Sequence, residues 1–327
     1  MKILVTGSAG FIGSNLCNYL LDKDYEVIGV DDYNDYYSPK VKEYNVKDFK
    51  DHKSFSDRRV DIVDAEKLDK VFDDNKDINA VVHLAAWAGV TSSFEKPAVY
   101  VRNNLEGTVN LLESCRKHGV KNIIFASTSS IYGDAPTPFR EDMSTDFPLA
   151  PYNASKKACE VMLYVYSKNF GINSTIFRFF NPCGPRMRPD LALPLLIKSC
   201  TYGTEFPQYW SEEAAKKTGR DYFYINHAFE AMEYVFNHPF TYEIFNIGNS
   251  SPVSLADTIA TIEKVTGRKA NIKVMPPRSG EMLMTYSDIS KAKKLLGFNP
   301  VTPLSEIVKI YHDWFINQEE WYRKGEY

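Results

Sequence analysis

Met1–Gly13 reads MKILVTGSAGFIG, a short aliphatic run followed at once by three evenly spaced glycines. Ile3, Leu4 and Val5 predict a buried parallel strand. Phe11, Ile12, Leu16, Tyr19 and Leu20 then recur with the period of a helix. Between the two, Gly7 suits a tight turn, Gly10 lets backbone N–H groups approach a pyrophosphate, and Gly13 lets the helix pack on the strand. The free N–H groups and positive dipole end of such a helix attract phosphate. Strand, glycine loop and helix in that order predict a dinucleotide-binding site, with Phe11 and Ile12 part of it.

Working outward, Tyr25–Val30 predicts a second strand that ends in Asp31-Asp32. That is roughly 20 residues past the loop, where a carboxylate accepts hydrogen bonds from an adenosine ribose. A 2′-phosphate would be repelled there and no arginine follows to receive it, so NAD is expected rather than NADP. Tyr33–Ser56 is polar and tyrosine-rich and is expected to be an exposed excursion. Asp61-Ile62, after a further short strand, is expected to flank the adenine.

Ala80–Ala86 predicts a buried strand, Asn103–His118 an amphipathic helix stopped by Gly119, and Asn122–Ser127 a strand. Pro151–Phe170 predicts a long helix closed by Gly171, and Ile172–Phe180 resumes strand character. The alternation predicts an α/β fold, a Rossmann-type doubly wound parallel sheet with ligands beyond the carboxyl ends of its strands. Past Phe180 the chain turns to Pro, Arg and aromatics. Thr241–Ile247 predicts a strand returning to the main sheet, Ser254 the N-cap of a helix through Val265, and Ser287–Leu296 another helix. The expected organisation is an NAD-binding domain over 1–180, with the returning strand near 241–248. A smaller substrate-binding α/β lobe is expected over 181–327.

Bulk properties narrow the function classes. With 327 residues, 44% hydrophobic and 25% charged, the chain has the composition of an ordinary globular protein. A net charge of −3 gives no electrostatic case for nucleic acid or an anionic membrane. There is no apolar run of spanning length and no cleavable signal pattern, so a cytoplasmic protein is expected. The cysteines Cys17, Cys115, Cys159, Cys183 and Cys200 are scattered without a C-x-x-C pair, which predicts reduced thiols and no metal site.

The chemistry concentrates in Ser127-Thr128-Ser129-Ser130, leaving a strand, and Tyr152-Asn-Ala-Ser-Lys156, opening a helix. The spacing puts Tyr152 and Lys156 on one helical face, a turn apart. A free phenol has a pKa of roughly 10, too high for a base at neutral pH. A neighbouring ammonium and a positive nicotinamide ring both favour the phenolate. Tyr152 then takes a proton from an alcohol as hydride leaves its carbon, while Thr128 holds the same oxygen.

Gly7-x-x-Gly10-x-x-Gly13, the strand ending in Asp31, His83-Leu84-Ala85-Ala86 and Tyr152-x-x-x-Lys156 together resemble the extended short-chain dehydrogenase/reductase family. The similarity runs almost the whole length, through Asn246-Ile247-Gly248-Asn249 to Arg278-Ser-Gly-Glu281. It implies catalytic roles for Tyr152, Lys156 and Thr128. Leu84, Ala85, Ala86, Asn103, Ser127 and Phe180 are implied as cofactor-pocket positions, and the chain as a homodimer through the helices over 103–118 and 151–170. Leu105, Val109, Leu112, Val161, Met162 and Val165 are candidates for that dimer face, or for packing on the sheet.

Family members acting on nucleotide sugars include 4-epimerases, 4,6-dehydratases and UDP-glucuronate decarboxylases. The dehydratases resemble Asp-Glu, and the decarboxylases Ser-Glu, where this chain has Ser129-Ser130. Without that carboxylate, elimination and decarboxylation lack their proton handler. What remains is oxidation and re-reduction at one carbon.

Phe179-Phe180-Asn181-Pro182-Cys183-Gly184-Pro185-Arg186-Met187-Arg188-Pro189-Asp190 is similar to UDP-glucuronate 4-epimerases, in which an arginine of this loop faces the substrate carboxylate. The resemblance implies Arg188 for that role, with Arg186 second. It implies Asn181, Arg220 and Arg278 for the UDP phosphates, with Ser129, Ser130 and Glu281 also at the substrate. The expected substrate is therefore a UDP-sugar. Three departures stand out: Cys183 where relatives carry tyrosine, an unusual stretch over Thr204–Gly219, and Asn226-His227 in place of a common acidic residue. His227 is expected to be structural. Other readings are a neutral UDP-glucose or UDP-N-acetylglucosamine 4-epimerase, a UDP-glucuronate decarboxylase, or an idle NAD-binding sensor.

Overall fold

A computed structural model of the chain describes residues 1–276 and 283–326. Its centre is a sheet of seven strands: β1 (Lys2–Thr6), β2 (Glu26–Asp31), β3 (Phe55–Arg59), β4 (Ala80–His83), β5 (Asn122–Thr128), β6 (Asn173–Phe179) and β7 (Tyr242–Ile247). They lie in the order β7-β6-β5-β4-β1-β2-β3, every neighbouring pair parallel. The chain builds outward from β1 through β2 to β3, then restarts on the other side with β4. That reversal opens a crevice between the carboxyl ends of β1 and β4, the place where such sheets bind ligands.

Side-chain alternation sorts the strands' residues onto the two faces. Leu4, Val81, Ile123 and Phe125 meet the helices α3 (Ala65–Asp74), α4 (Gly107–His118) and α5 (Pro151–Phe170). Ile3, Val5, Val82 and Ile124 face the other way, onto α1 (Phe11–Leu21) and the helix Asn226–Asn237. The second of these cores runs on without a break into Leu193–Cys200 and Ile307–Phe315, so the C-terminal half completes one face of the sheet. Gly119 and Gly171 close their helices in the left-handed conformation, at φ 72° and 66°. The strand after the detour pairs with β6 from Tyr242↔Ser174 to Ile247↔Phe179. Ser254 caps the helix Leu255–Thr266 by accepting from the Asp257 N–H.

The structure corrects several sequence expectations. Tyr33–Ser56 is not an exposed excursion. It contains the helix α2 (Pro39–Val46), whose Val41, Tyr44 and Val46 are buried and whose Tyr44 ring stacks on Tyr322 at 5.1 Å. Polar Lys40, Lys42, Glu43 and Asn45 hide that apolar face. The segment 101–106 is wound as a π-helix before the α-helix begins at Gly107. Leu112 is fully buried on the sheet, which removes it from any outer face. No helix among the described residues is long and apolar enough to cross a membrane.

Short strands tie the rest together. Asn181–Cys183 pairs with Tyr222–Tyr224, and Glu205–Gln208 with Asn271–Val274. Between them Asp221, fully buried, accepts backbone N–H bonds from Asn249, Ser250, Ser251 and Ser287 at 3.0–3.2 Å. This carboxylate explains the Asn246–Asn249 motif: the turn after β7 wraps it, and a Cβ on Gly248 would collide with its oxygen.

Below the carboxyl ends of β5 and β6 lies a buried ion pair. Glu160 of α5 accepts from Arg178 Nε at 3.0 Å and Nη2 at 2.8 Å, and from the Ser127 hydroxyl at 2.6 Å. Arg178 Nη1 donates to the Tyr132 hydroxyl at 2.9 Å, which donates on to Asn246. Removing one member leaves an unpaired buried charge. Arg178→Leu is expected to cost about 3–5 kcal/mol, read as a lower urea midpoint. A midpoint equal to that of the parent chain contradicts this account.

Candidate active site

The glycine loop lies against the end of β4. Gly7 has φ +72°, and a Cβ there would meet the Ala85 backbone nitrogen at 2.8 Å. A Cβ on Gly13 would overlap the Gly7 carbonyl oxygen. Gly10 caps α1 without any side-chain hydrogen bond, so the helix presents its first N–H groups to the crevice. Asp31, at the end of β2, accepts from the Ala9 N–H at 3.0 Å and the Tyr33 N–H at 2.8 Å. Burial pushes its carboxyl up, and the Lys42 ammonium pulls it back down.

A cavity of about 520 Å³ runs along the strand ends. At one end it is walled by Gly7, Gly10, Phe11, Ile12 and Gly13, with Asp31, Asp32, Asp61 and Ile62 beside them. Leu84, Ala85, Ala86 and Asn103 line its middle, and Ser127, Thr128, Tyr152, Lys156, Phe180 and Asn181 its far end. An uncapped helix N-terminus, a loop too tight for any Cβ and a carboxylate at the end of β2 fit a dinucleotide.

Tyr152 and Lys156 open α5, whose Pro151 occupies the first turn. The Lys156 ammonium sits 4.0 Å from the Phe125 ring centroid, and burial lowers its pKa to about 8, against the pull of Glu160. The Tyr152 ring meets Tyr100 edge-on at 6.1 Å. Burial pushes its phenol up to about 12, while its hydrogen bond to Thr128 and the charge of Arg188 draw it down. The depressed phenol expected from Lys156 is therefore not a property of the chain alone. Burial outweighs the Thr128 hydrogen bond and the Arg188 charge, and Tyr152 keeps its proton until more positive charge arrives.

Arg188 lines the cavity, its guanidinium 5.2 Å over the Tyr36 ring. Arg186, two residues earlier, does not reach it. Its backbone is left-handed at φ +60°, and its side chain turns back to Asp48 at 3.0 Å and the Ser14 carbonyl. Arg186 thus fastens the loop to α1. Ser129 and Ser130 also fall outside the cavity wall, because they start a short 3-10 turn whose Ser130 N–H bonds to Thr128 Oγ1 at 3.2 Å. Arg278 and Glu281 lie outside the described residues.

The unusual 204–219 stretch builds a second cavity of about 220 Å³, walled by Phe206, Tyr209 and Trp210. Arg220 and Tyr222 belong to both cavities and stand between them. Cys183 is buried and its thiol is pushed up by that burial. His227 bonds Thr302 at 2.8 Å, away from either cavity.

Sequence reasoning missed the wall supplied by residues 34–42. Lys42, buried beside Asp31, donates to Asn34 Oδ1 at 2.9 Å. Burial lowers its pKa, against the pull of Asp31, Asp32 and Asp35. Tyr36 and Tyr37 line the cavity too, and the Tyr37 hydroxyl is buried without a partner among the described residues. Two adjacent tyrosines soon after the strand-end aspartates were the available signal.

The sign of the Lys156 shift gives a test. Its folded pKa of about 8 lies below the ordinary 10.5, so the unfolded chain binds the extra proton between those values. In the cofactor-free chain, stability relative to Lys156→Met is expected to rise as pH climbs from about 8 towards 10.5. Urea titrations at intervals across that range check it, and a difference that stays flat or falls contradicts the buried ammonium.

Comparison with known proteins agrees with this geometry. Residues 3–248 match the model of the NAD dependent epimerase/dehydratase family. A UDP-glucuronate 4-epimerase of Thermodesulfobacterium geofontis is 37% identical over 317 residues, 95% of each chain. The crystal structure of UDP-glucuronic acid 4-epimerase from Bacillus cereus, in complex with UDP-glucuronic acid and NAD, superposes with a TM-score of 0.89. It is 34% identical and covers 100% of both chains. A UDP-glucose 4-epimerase from Thermotoga maritima, solved with UDP-glucose, gives 0.87 at 29% identity over 97% of this chain and 99% of its own. With its glycine loop, strand-end aspartate and Tyr152/Lys156 pair at one crevice, the chain belongs to the NAD dependent epimerase/dehydratase family.

Proposed function

We propose that the chain is an NAD-dependent 4-epimerase of UDP-hexuronic acids, interconverting UDP-glucuronate and UDP-galacturonate. One observation carries the choice of substrate: Arg188 lines the catalytic end of the cavity, close enough for its charge to act on Tyr152. A guanidinium there suits a sugar carboxylate, which it can hold through parallel hydrogen bonds. The relatives named above that act on UDP-glucuronate support the same reading.

When bound, NAD supplies reversible hydride removal from a carbinol carbon. The glycine loop and the start of α1 would hold its pyrophosphate, Asp31 its adenosine ribose, and Lys156 its nicotinamide ribose. Tyr152 takes the O4 proton once added positive charge brings its phenol within reach, and Thr128 holds O4. Asn181 and Arg220 would hold the diphosphate, and the smaller cavity beside Phe206 and Trp210 the uracil.

Epimerisation follows from what the site lacks. The acidic residues among the described wall are Asp31, Asp32 and Asp61, all at the adenosine end. None stands beside Thr128 to shuttle a proton at C5 or C6. The intermediate, a 4-keto uronic acid, is a β-keto acid that loses CO2 when its C5–C6 bond lines up with the carbonyl π system. Arg188 would hold the carboxylate out of that alignment while the sugar turns over. The reading as a neutral UDP-hexose epimerase draws on a different observation, that Arg188 already has a carboxylate partner in Asp190.

The chain also has the surface for a homodimer. Val161, Tyr164 and Val165, on the outer side of α5, are 50%, 46% and 38% exposed. Such a row suits pairing with its own copy. All five cysteines are free, buried thiols, which suits a reducing cytoplasm.

Incubation with UDP-glucuronate is expected to give UDP-galacturonate with no net build-up of reduced cofactor. Absence of that product, or CO2 release with a UDP-pentose from the parent chain, overturns the proposal. Arg188→Ala is expected to raise KM for UDP-glucuronate at least about tenfold, the loss of a charged hydrogen-bonded pair, and to leave UDP-glucose unaffected. A neutral-sugar enzyme gives the reverse preference. Sedimentation of the double variant Val161→Glu, Val165→Glu is expected to show monomer where the parent chain shows dimer. An unchanged dimer rules out this face.

A further inference from the structure

Arg188 does not enter the site as a loose side chain. Asp190, two residues on, takes the side edge of its guanidinium with both oxygens, Nε to Oδ1 at 3.0 Å and Nη2 to Oδ2 at 2.9 Å. Tyr36 lies under the guanidinium plane, 5.2 Å from its carbon to the ring centroid. The Tyr36 hydroxyl donates to the Ala88 carbonyl oxygen, which also accepts from Tyr100 at 2.8 Å. The floor beneath Arg188 is thereby fixed to the loop that leaves β4, and Trp87 packs edge-on against it at 5.3 Å. A guanidinium has a side edge and an end edge, each able to grip a carboxylate through parallel bonds. With the side edge held by Asp190, the end edge formed by Nη1 and the remaining Nη2 proton is the one left for a ligand.

We propose that Asp190 and Tyr36 are positioning residues that aim the end edge of Arg188 at the C6 carboxylate of the bound sugar. They thereby set how much of the 4-keto intermediate returns as epimer rather than losing CO2. The proposal rests on the hexuronate reading above.

Two physical arguments lead to it. The first is that aim matters more here than attraction. In decarboxylation the C5–C6 bond breaks, its electron pair enters the C4 carbonyl as an enolate, CO2 departs, and C5 takes a proton from water. That flow needs the breaking bond parallel to the π system, so a carboxylate that swivels on a mobile arginine will pass through the reactive alignment. An arginine gripped along one edge and floored by a ring has lost that freedom. The second argument is one of sign. The Asp190 charge opposes Arg188, so it cannot strengthen the pull on a substrate carboxylate. Any benefit Asp190 brings must come from orientation, and binding and product fate should separate when it is removed.

Asp190→Asn keeps the size and removes the charge and the paired acceptors. Asp190 is 56% exposed in its side chain, so the fold does not depend on it. Calorimetric binding of UDP-glucuronate is expected to stay within about threefold of the parent chain or to tighten. Meanwhile kcat for epimerisation falls about tenfold, and CO2 with UDP-pentose becomes a measurable share of product. Tyr36→Leu is expected to move product shares the same way, and Asp190→Glu to return them part of the way. Parent-like kcat and product shares in Asp190→Asn overturn the proposal. So does binding weakened more than about tenfold with product shares unchanged, the mark of a purely structural residue. If the parent chain does not turn over UDP-glucuronate, the hexuronate reading falls and this proposal with it. If it does, and Asp190→Asn behaves like the parent chain, only this proposal falls.

Discussion

Helix α5 carries Tyr152 and Lys156 in its first two turns and Glu160 one turn further on, and Glu160 is fixed from two strands at once. Arg178 on β6 grips both of its oxygens, and Ser127 on β5 donates to one of them. A buried charge pair of this kind is costly to desolvate, and its hydrogen bonds leave it essentially one geometry. The helix that bears the proposed catalytic pair therefore cannot slide against the strand that bears Thr128. The same network continues through Tyr132 to Asn246, reaching β7, which the chain adds after its detour over residues 181–241. Both halves of the protein are referred to one buried carboxylate.

On that frame the charges are arranged so that the chain alone stays at rest. Burial holds the Tyr152 phenol at about 12 and brings the Lys156 ammonium down to about 8. Tyr152 is not poised as a base until more positive charge enters the crevice, while Lys156 keeps most of its charge at neutral pH. The acidic groups of the wall sit at the opposite end, around Lys42, where they suit a ribose and repel a phosphate. Near Tyr152, Arg188 lies on the aromatic cluster of Tyr36, Trp87 and Tyr100. A cavity so built favours taking a hydride from a carbinol carbon and a proton from its oxygen, and giving both back.

Much of this was legible in the sequence because local chemistry dictates it. The glycine loop, the left-handed caps at Gly119 and Gly171, the Ser254 cap and the Pro151 helix start each follow from one residue type at one place. The returning strand was legible because its apolar run follows a clear detour. Other features depend on contacts that no local pattern encodes. Arg186 and Arg188 are two residues apart in one loop, and only a left-handed backbone at Arg186 sends one towards Asp48 and leaves the other in the cavity. Helix α2 was hidden because its buried face includes Lys42 and Asn45, whose side-chain nitrogens find partners only in the folded chain. Leu112 has the spacing of an outer face yet lies on the sheet, since both sides of that helix are partly apolar.

The central claim is that the hydride removed from C4 returns to C4 of the same sugar. The most direct test uses UDP-glucuronate carrying deuterium at C4 and follows the label by mass spectrometry and proton NMR. Full retention of deuterium at C4 of the UDP-galacturonate formed, in ordinary water, is the expected result. Deuterium lost to solvent, or found in released reduced cofactor, contradicts the account.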